Sequence, residues 1–203
     1  DATNGAAVER IFKAKGRPQD NPLIVHISSY EQLEQLVSHI PEHAKRLMET
    51  FWPGPLTVIL PKSNLVPDQV SAGLPTVAVR FPSHPTARAV IQKAGVPLAA
   101  PSANVSGSPS PTAAAHVLHD LDGKIDAVID GGPCTVGLES TVITLAEETP
   151  VLLRPGAVTL EQLQQVLGTV KMADAVLHQL EQGSVAASPG MKYKHYAPKA
   201  KLI

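Results

Sequence analysis

One cysteine, Cys134, is all the thiol chemistry this chain has. That excludes an internal disulfide framework and suits a reducing compartment. Aromatic residues make up 3% of the 203 positions, so the core has to be built from Val, Leu, Ile and Ala. Net charge is also scarce, at -1 with 17 basic and 18 acidic residues. A chain so balanced has no general affinity for polyanions, and only local basic patches can attract one. Long hydrophobic runs are missing too, which predicts no membrane span, and the opening "DATNGAAVERIF" reads as a turn into a helix, not as a signal peptide. Three motif classes are absent: the G-x-G-x-x-G dinucleotide fingerprint, the P-loop and the C-x-x-C or H-E-x-x-H metal spacings. The eight histidines are scattered, and no metal site is predicted from them.

What is present is 43% apolar residue content in an α/β pattern. Val8, Ile11 and Phe12 form a helical stripe over residues 6–14, closed by Gly16 and Pro18. "NPLIVHIS" reads as a buried strand. Helices are expected at 30–37 and 41–50, then the "WPGP" turn and the strands "LTVILPK" and "TVAVRFP". "PTARAVIQKAG" is a helix closed by Gly95. "PLAAPSANVSGSPSP" begins as a strand and becomes a loop, and "TAAAHVLHDLDG" is a helix with Thr112 as its cap. "IDAVIDGG" is expected to be a strand. "STVITLAEETPVLLRPG" reads as an antiparallel pair, and "TLEQLQQVLG" as a helix capped by Thr159. Residues 169–191 look like a linker with a weak helical piece. The alternation is imperfect, which predicts a twisted, mixed parallel and antiparallel sheet with flanking helices.

Basic and polar residues recur at the predicted strand ends. Lys15 and Arg17 follow a helix break, Arg80 closes "VAVR", and Ser102 and Asn104 end "PSAN". Ser140 and Thr141 open a strand, and Arg154 closes "LLR". Ligands of α/β domains collect at strand ends, and the guanidinium fork holds phosphate or carboxylate through paired hydrogen bonds. These features alone describe an anion-binding α/β domain. The stretch "SPGMKYKHYAPKA" adds three lysines, two tyrosines and a histidine after a Pro-Gly break. Tyr193, His195 and Tyr196 can stack on a flat ligand, and Lys192 and Lys194 can face a negative one.

Taken in order, "KAKGRPQDNPLIVHI", "FWPGPLTVIL", "GLPTVAVRFPSHP", "PLAAPSANVSGSPSPT", "VIDGG", "GLESTVI" and "LLRPG" resemble the YrdC/Sua5 family. The tail resembles the linker of the two-domain Sua5 branch. Two departures accompany the resemblance: the family's strand ending in P-T-[DE]-T-x-Y-G-L is not seen before "DATNGAAVERIF", and the small C-terminal Sua5 domain is expected to be absent. The domains expected are a catalytic unit over 1–168, N-terminally incomplete, and a linker over 169–203 that folds back over the nucleotide site.

The resemblance implies a threonylcarbamoyl-AMP synthase, which makes threonylcarbamoyl-AMP and pyrophosphate from L-threonine, bicarbonate and ATP for the tRNA modification t6A. It implies that Lys15 and Arg17 meet the phosphates and carbamate, and that Ser102, Asn104 and Arg154 surround the nucleotide. His26, Thr76 and Ser140 would hold threonine or the carbamoyl group. Arg80 would contact ligand or brace the pocket, and His195 and Tyr196 would close over the nucleotide. Mg²⁺ would travel with the triphosphate, held partly by water. The product would pass to a separate tRNA threonylcarbamoyltransferase complex in the cytoplasm, with at most weak tRNA binding by this chain. Two alternatives stand beside this one: a carbamoyl-adenylate module of the hydrogenase-maturation type, and a non-catalytic RNA-binding module.

Overall fold

The computed structural model describes residues 1–177. Helix α1 (Gly5–Lys15) starts where the Asn4 side chain accepts from the Ala7 N–H at 3.2 Å, and ends at Gly16 in the left-handed region at φ 61°. Strand β1 (Ile24–His26), helices α2 (Tyr30–Leu36) and α3 (Glu42–Phe51), and strand β2 (Leu56–Pro61) follow. Then come α4 (Asp68–Ser71), β3 (Thr76–Arg80), α5 (Pro85–Ala94), β4 (Leu98–Ala99) and α6 (Ala114–Leu121). Last come β5 (Thr141–Thr144), β6 (Val151–Arg154), α7 (Leu160–Leu167), β7 (Lys171–Met172) and α8 (Asp174–Leu177).

The strands form one sheet in the order β4-β1-β3-β2-β5-β6-β7. β1–β3, β2–β5 and β6–β7 are parallel, while β1–β4, β2–β3 and β5–β6 are antiparallel. The mixed sheet expected from the sequence is therefore observed. Side chains alternate between the two faces of a strand, and this sorts the core. Val25, Val58, Leu60, Val77, Val79 and Ile143 join one large aliphatic cluster with Val8, Phe12, Leu33, Leu47 and Leu163 from the helices. Ile24, Ile59, Ala78, Val142 and Leu153 form a small cluster on the other face. Continuing the alternation by two places puts His26, Arg80, Thr57 and Ser140 on that second face. A register shift between Val142 and Ile143 sets Arg154 opposite Val142, so a bulge turns Arg154 to the same side.

Several expectations need correction. "IDAVIDGG" forms no strand; Ile129 is 65% exposed, and no described strand lies beside it to complete its backbone hydrogen bonds. Thr112 does not cap α6. Its carbonyl accepts from the Cys134 N–H at 2.9 Å, and the cap position falls to Ala113, which has no side-chain hydrogen bond. β7 was not anticipated; it is a two-residue strand whose exposed Lys171 and Met172 give no periodic signal. Thr159 does cap α7, in a reciprocal capping box with Gln162.

Candidate functional site

The second face of the sheet opens into a cavity of about 850 Å³. One wall is a polar row across five neighbouring strands. His26 of β1 lies beside Arg80 of β3, and Arg80 beside Thr57 of β2. The Thr57 and Ser140 hydroxyls are 2.7 Å apart. Arg154 of β6 donates from Nε to the Ser140 carbonyl at 3.0 Å and from Nη2 to Ser140 Oγ at 3.1 Å. Four residues of the row line the cavity: His26, Arg80, Ser140 and Arg154.

Arg80 is held from behind. Its Nε donates to the Gly54 carbonyl at 3.1 Å, while the Gly54 N–H donates to the Phe81 carbonyl at 2.8 Å. Trp52 locks the same turn by donating from Nε1 to the Leu56 carbonyl at 2.8 Å. Trp52, Phe81 and Tyr30 also pack together, with ring centroids 6.2–6.4 Å apart. The "WPGP" turn is thus architectural, and what it positions is a cavity guanidinium. His26 is kept neutral: burial first, and Arg80 second, push its pKa down to about 4, outweighing the carbonyls of Ile24 and Leu98.

The opposite wall is made of loops. Arg17 enters the cavity from the turn after α1, with Nη2 donating to the carbonyls of Asn21 at 3.3 Å and Pro22 at 3.1 Å. Ser102 lines the cavity from the loop after β4. Ser110 Oγ donates to Glu139 Oε1 at 2.7 Å and ties two lining loops together. Gly131 packs its backbone on His84; a Cβ there would lie 2.9 Å from the imidazole Cε1. The lining holds three guanidinium groups, Arg17, Arg80 and Arg154, against two carboxylates, Asp130 and Glu139. Such a cavity accepts an anion of more than one charge.

Not every expected residue faces this space. Lys15 is 5% exposed, and its ammonium donates to the carbonyls of Ser102 and Asn104. Burial, followed by the charge of Arg17, lowers its pKa to about 8. It anchors the loop that carries Ser102 and is absent from the lining. Asn104 is likewise buried, and its amide donates to the carbonyls of Val105 at 2.9 Å and Ser108 at 2.7 Å, folding the turn. Thr76 is at the far end of β3, paired with Pro61, because a strand carries its two ends to opposite edges of the sheet. His195 and Tyr196 lie outside the described residues. Sequence reasoning missed Thr57, Ser110, His84 and Glu139. Only Glu139, the one charge in "GLESTV", carried a signal.

A family model described as "Telomere recombination", covering Sua5, YciO and YrdC proteins, matches residues 1–156. A second, described as "Threonylcarbamoyl-AMP synthase, C-terminal domain", matches residues 158–203. This second match corrects the expectation that the C-terminal domain is absent. Threonylcarbamoyl-AMP synthases of Pyrococcus abyssi and Bacillus subtilis are 54% and 55% identical over the whole chain, which spans 59% and 58% of their lengths. The crystal structure of P. abyssi Sua5 complexed with L-threonine superposes with a TM-score of 0.95 at 54% identity, covering 99% of this chain and 58% of that one.

Proposed function

This chain belongs to the Sua5–YciO–YrdC family, and on that premise we propose that it forms threonylcarbamoyl-AMP and pyrophosphate from L-threonine, bicarbonate and ATP. The observation that carries the reading is the cavity in which Arg17, Arg80 and Arg154 converge beside neutral His26 and Ser140. The amine of threonine and bicarbonate first give a carbamate and water. A carbamate oxygen then attacks the α-phosphorus of ATP, and pyrophosphate leaves. Both partners are anions, so the site has to supply fixed positive donors more than a strong base.

In this reading Arg17 meets the phosphates and carbamate, and Arg154 and Ser102 hold the nucleotide. His26 and Ser140 receive the threonine or carbamoyl oxygens. Arg80 braces His26 and adds charge. Lys15 and Asn104 act through the loop they hold. The linker expected from residue 169 follows β7 in this reading, because residues 171–172 pair with β6 in the sheet, and His195 and Tyr196 cover the nucleotide. Among the described residues no group of three or more His, Cys, Asp or Glu could hold a metal ion. Mg²⁺ would arrive on the triphosphate's own oxygens, held partly by water. In this reading the product supplies t6A formation on tRNA through a separate transferase complex, in the cytoplasm.

The test is product formation by the full-length protein, with pyrophosphate release and threonylcarbamoyl-AMP followed by mass spectrometry. Omitting threonine or bicarbonate should abolish both. Adenylate formation that depends on carbamoyl phosphate and ignores threonine would overturn the assignment in favour of the hydrogenase-maturation chemistry.

A further inference from the structure

Thr57 is fully buried and is absent from the lining of this cavity, yet it sits in the middle of the polar row. Its sequence context, "GPLTVIL", reads as plain strand. A buried hydroxyl hydrogen needs an acceptor, and the hydrogen bond given to Thr57 Oγ1 is the 2.7 Å contact with Ser140 Oγ. That same oxygen accepts from Arg154 Nη2 at 3.1 Å. A serine hydroxyl has two lone pairs and one hydrogen. With Thr57 donating on one side and Arg154 on the other, both lone pairs are filled. The Ser140 hydrogen is then left to point away from both, and Ser140 lines the cavity.

We propose that Thr57 is a positioning residue that fixes Ser140 as an obligate hydrogen-bond donor to an oxyanion of the ligand. The inference rests on the reading of this cavity as the ATP and threonine site. Without Thr57, the Ser140 hydroxyl is free to rotate and can present a lone pair to the anion, which repels it. Three facts set the geometry: Thr57 is on β2 and Ser140 immediately precedes β5, its parallel neighbour, Ser140 is 3% exposed, and Arg154 approaches from the strand beyond.

The experiment uses the full-length protein with Thr57→Val, Thr57→Ser, Ser140→Ala and the Thr57→Val/Ser140→Ala double variant. Threonine and ATP binding are measured by calorimetry, kcat and KM by adenylate formation, and folding by Tm. A hydrogen bond to a charged group carries enough free energy that Thr57→Val should lose roughly tenfold to a hundredfold in affinity or kcat/KM. Thr57→Ser, which keeps the hydroxyl, should return to within a few-fold of the wild type. In the Ser140→Ala background the Thr57→Val change should have little further effect, because Thr57 acts through Ser140. A role confined to packing would lower Tm and leave affinity and KM alone. Thr57→Val with unchanged affinity and kcat/KM, or a loss that adds in full to that of Ser140→Ala, would overturn the proposal. A wild-type protein that binds neither ATP nor threonine would bring down the reading of the cavity itself, a result distinct from either of these.

Discussion

His26 offers a direct measure of how the cavity's electrostatics are built. Its pKa falls from 6.5 to about 4 in the folded chain, through burial and the neighbouring Arg80. Between those values the unfolded chain binds a proton that the folded chain refuses. Stability therefore rises with pH across the window, and is lost as pH falls from 6.5 toward 4. At ~1.36 kcal/mol per pH unit the full difference is about 3 kcal/mol. In a chain of this size that corresponds to a Tm change of about 6–12 °C. The assay is thermal or urea unfolding at a series of pH values from 7 to 4, comparing wild type with His26→Asn. The subtraction removes the carboxylates common to both proteins. Wild type should lose about 3 kcal/mol more than the variant on going from pH 7 to pH 4. Parallel pH profiles would refute the reasoning, since they would mean that His26 takes up its proton in the folded state as readily as in the unfolded one.

Arg17→Ala should lower adenylate formation roughly a hundredfold, the cost of about 3 kcal/mol for one donor aimed at developing charge, with far-ultraviolet dichroism unchanged; near wild-type kcat/KM would remove Arg17 from the site. Gly156→Ala would place a Cβ 2.5 Å from the Thr141 nitrogen and 2.6 Å from the Glu139 carbonyl oxygen, so the start of β5 has to shift and the chain should lose about 1–3 kcal/mol, read as a lower Tm. An unchanged Tm would show that the strand is not pressed against this turn. Deleting residues 188–203 should weaken ATP binding roughly tenfold or more if Tyr193, His195 and Tyr196 stack over the nucleotide; equal affinity in calorimetry, with only Tm altered, would make the tail a packing element.

Much of the fold could be read from the sequence because its signals were local. Gly16 closes α1, Thr159 opens α7, and β5 is a β-branched run joined by a polar turn to the apolar run of β6. Residues 125–132 show where local signals stop. "IDAVID" has strand composition, but a strand exists only beside a partner, and none of the described strands adjoins it. The site divides in the same way. Arg17 was visible after a helix break, and Arg80, Ser102 and Arg154 as polar residues at strand ends. Thr76 was misplaced because sequence does not say which end of β3 meets the cavity, and Arg80 occupies the end that does. Lys15 and Asn104 read as ligand contacts in the sequence, whereas the Lys15 ammonium and the Asn104 amide nitrogen donate to loop carbonyls. Thr57 carried no signal, since its importance depends on a neighbour 83 positions away.

The cavity has one wall of sheet and one wall of loop, and the two should breathe on different clocks. Backbone amides of β1, β2 and β3 are laddered into the sheet interior, so they exchange with solvent only when the whole domain opens. Those of residues 128–138 lack such a ladder and should exchange through small local openings. Discrimination is then divided by rigidity. His26 and Arg80 stand on a surface that cannot adapt without unfolding the protein, whereas Arg17 and Ser102 come from loops that reshape at little cost. A change in the ligand group that meets His26 and Arg80 should be rejected sharply, and a change in the group that meets Arg17 and the loops should be absorbed.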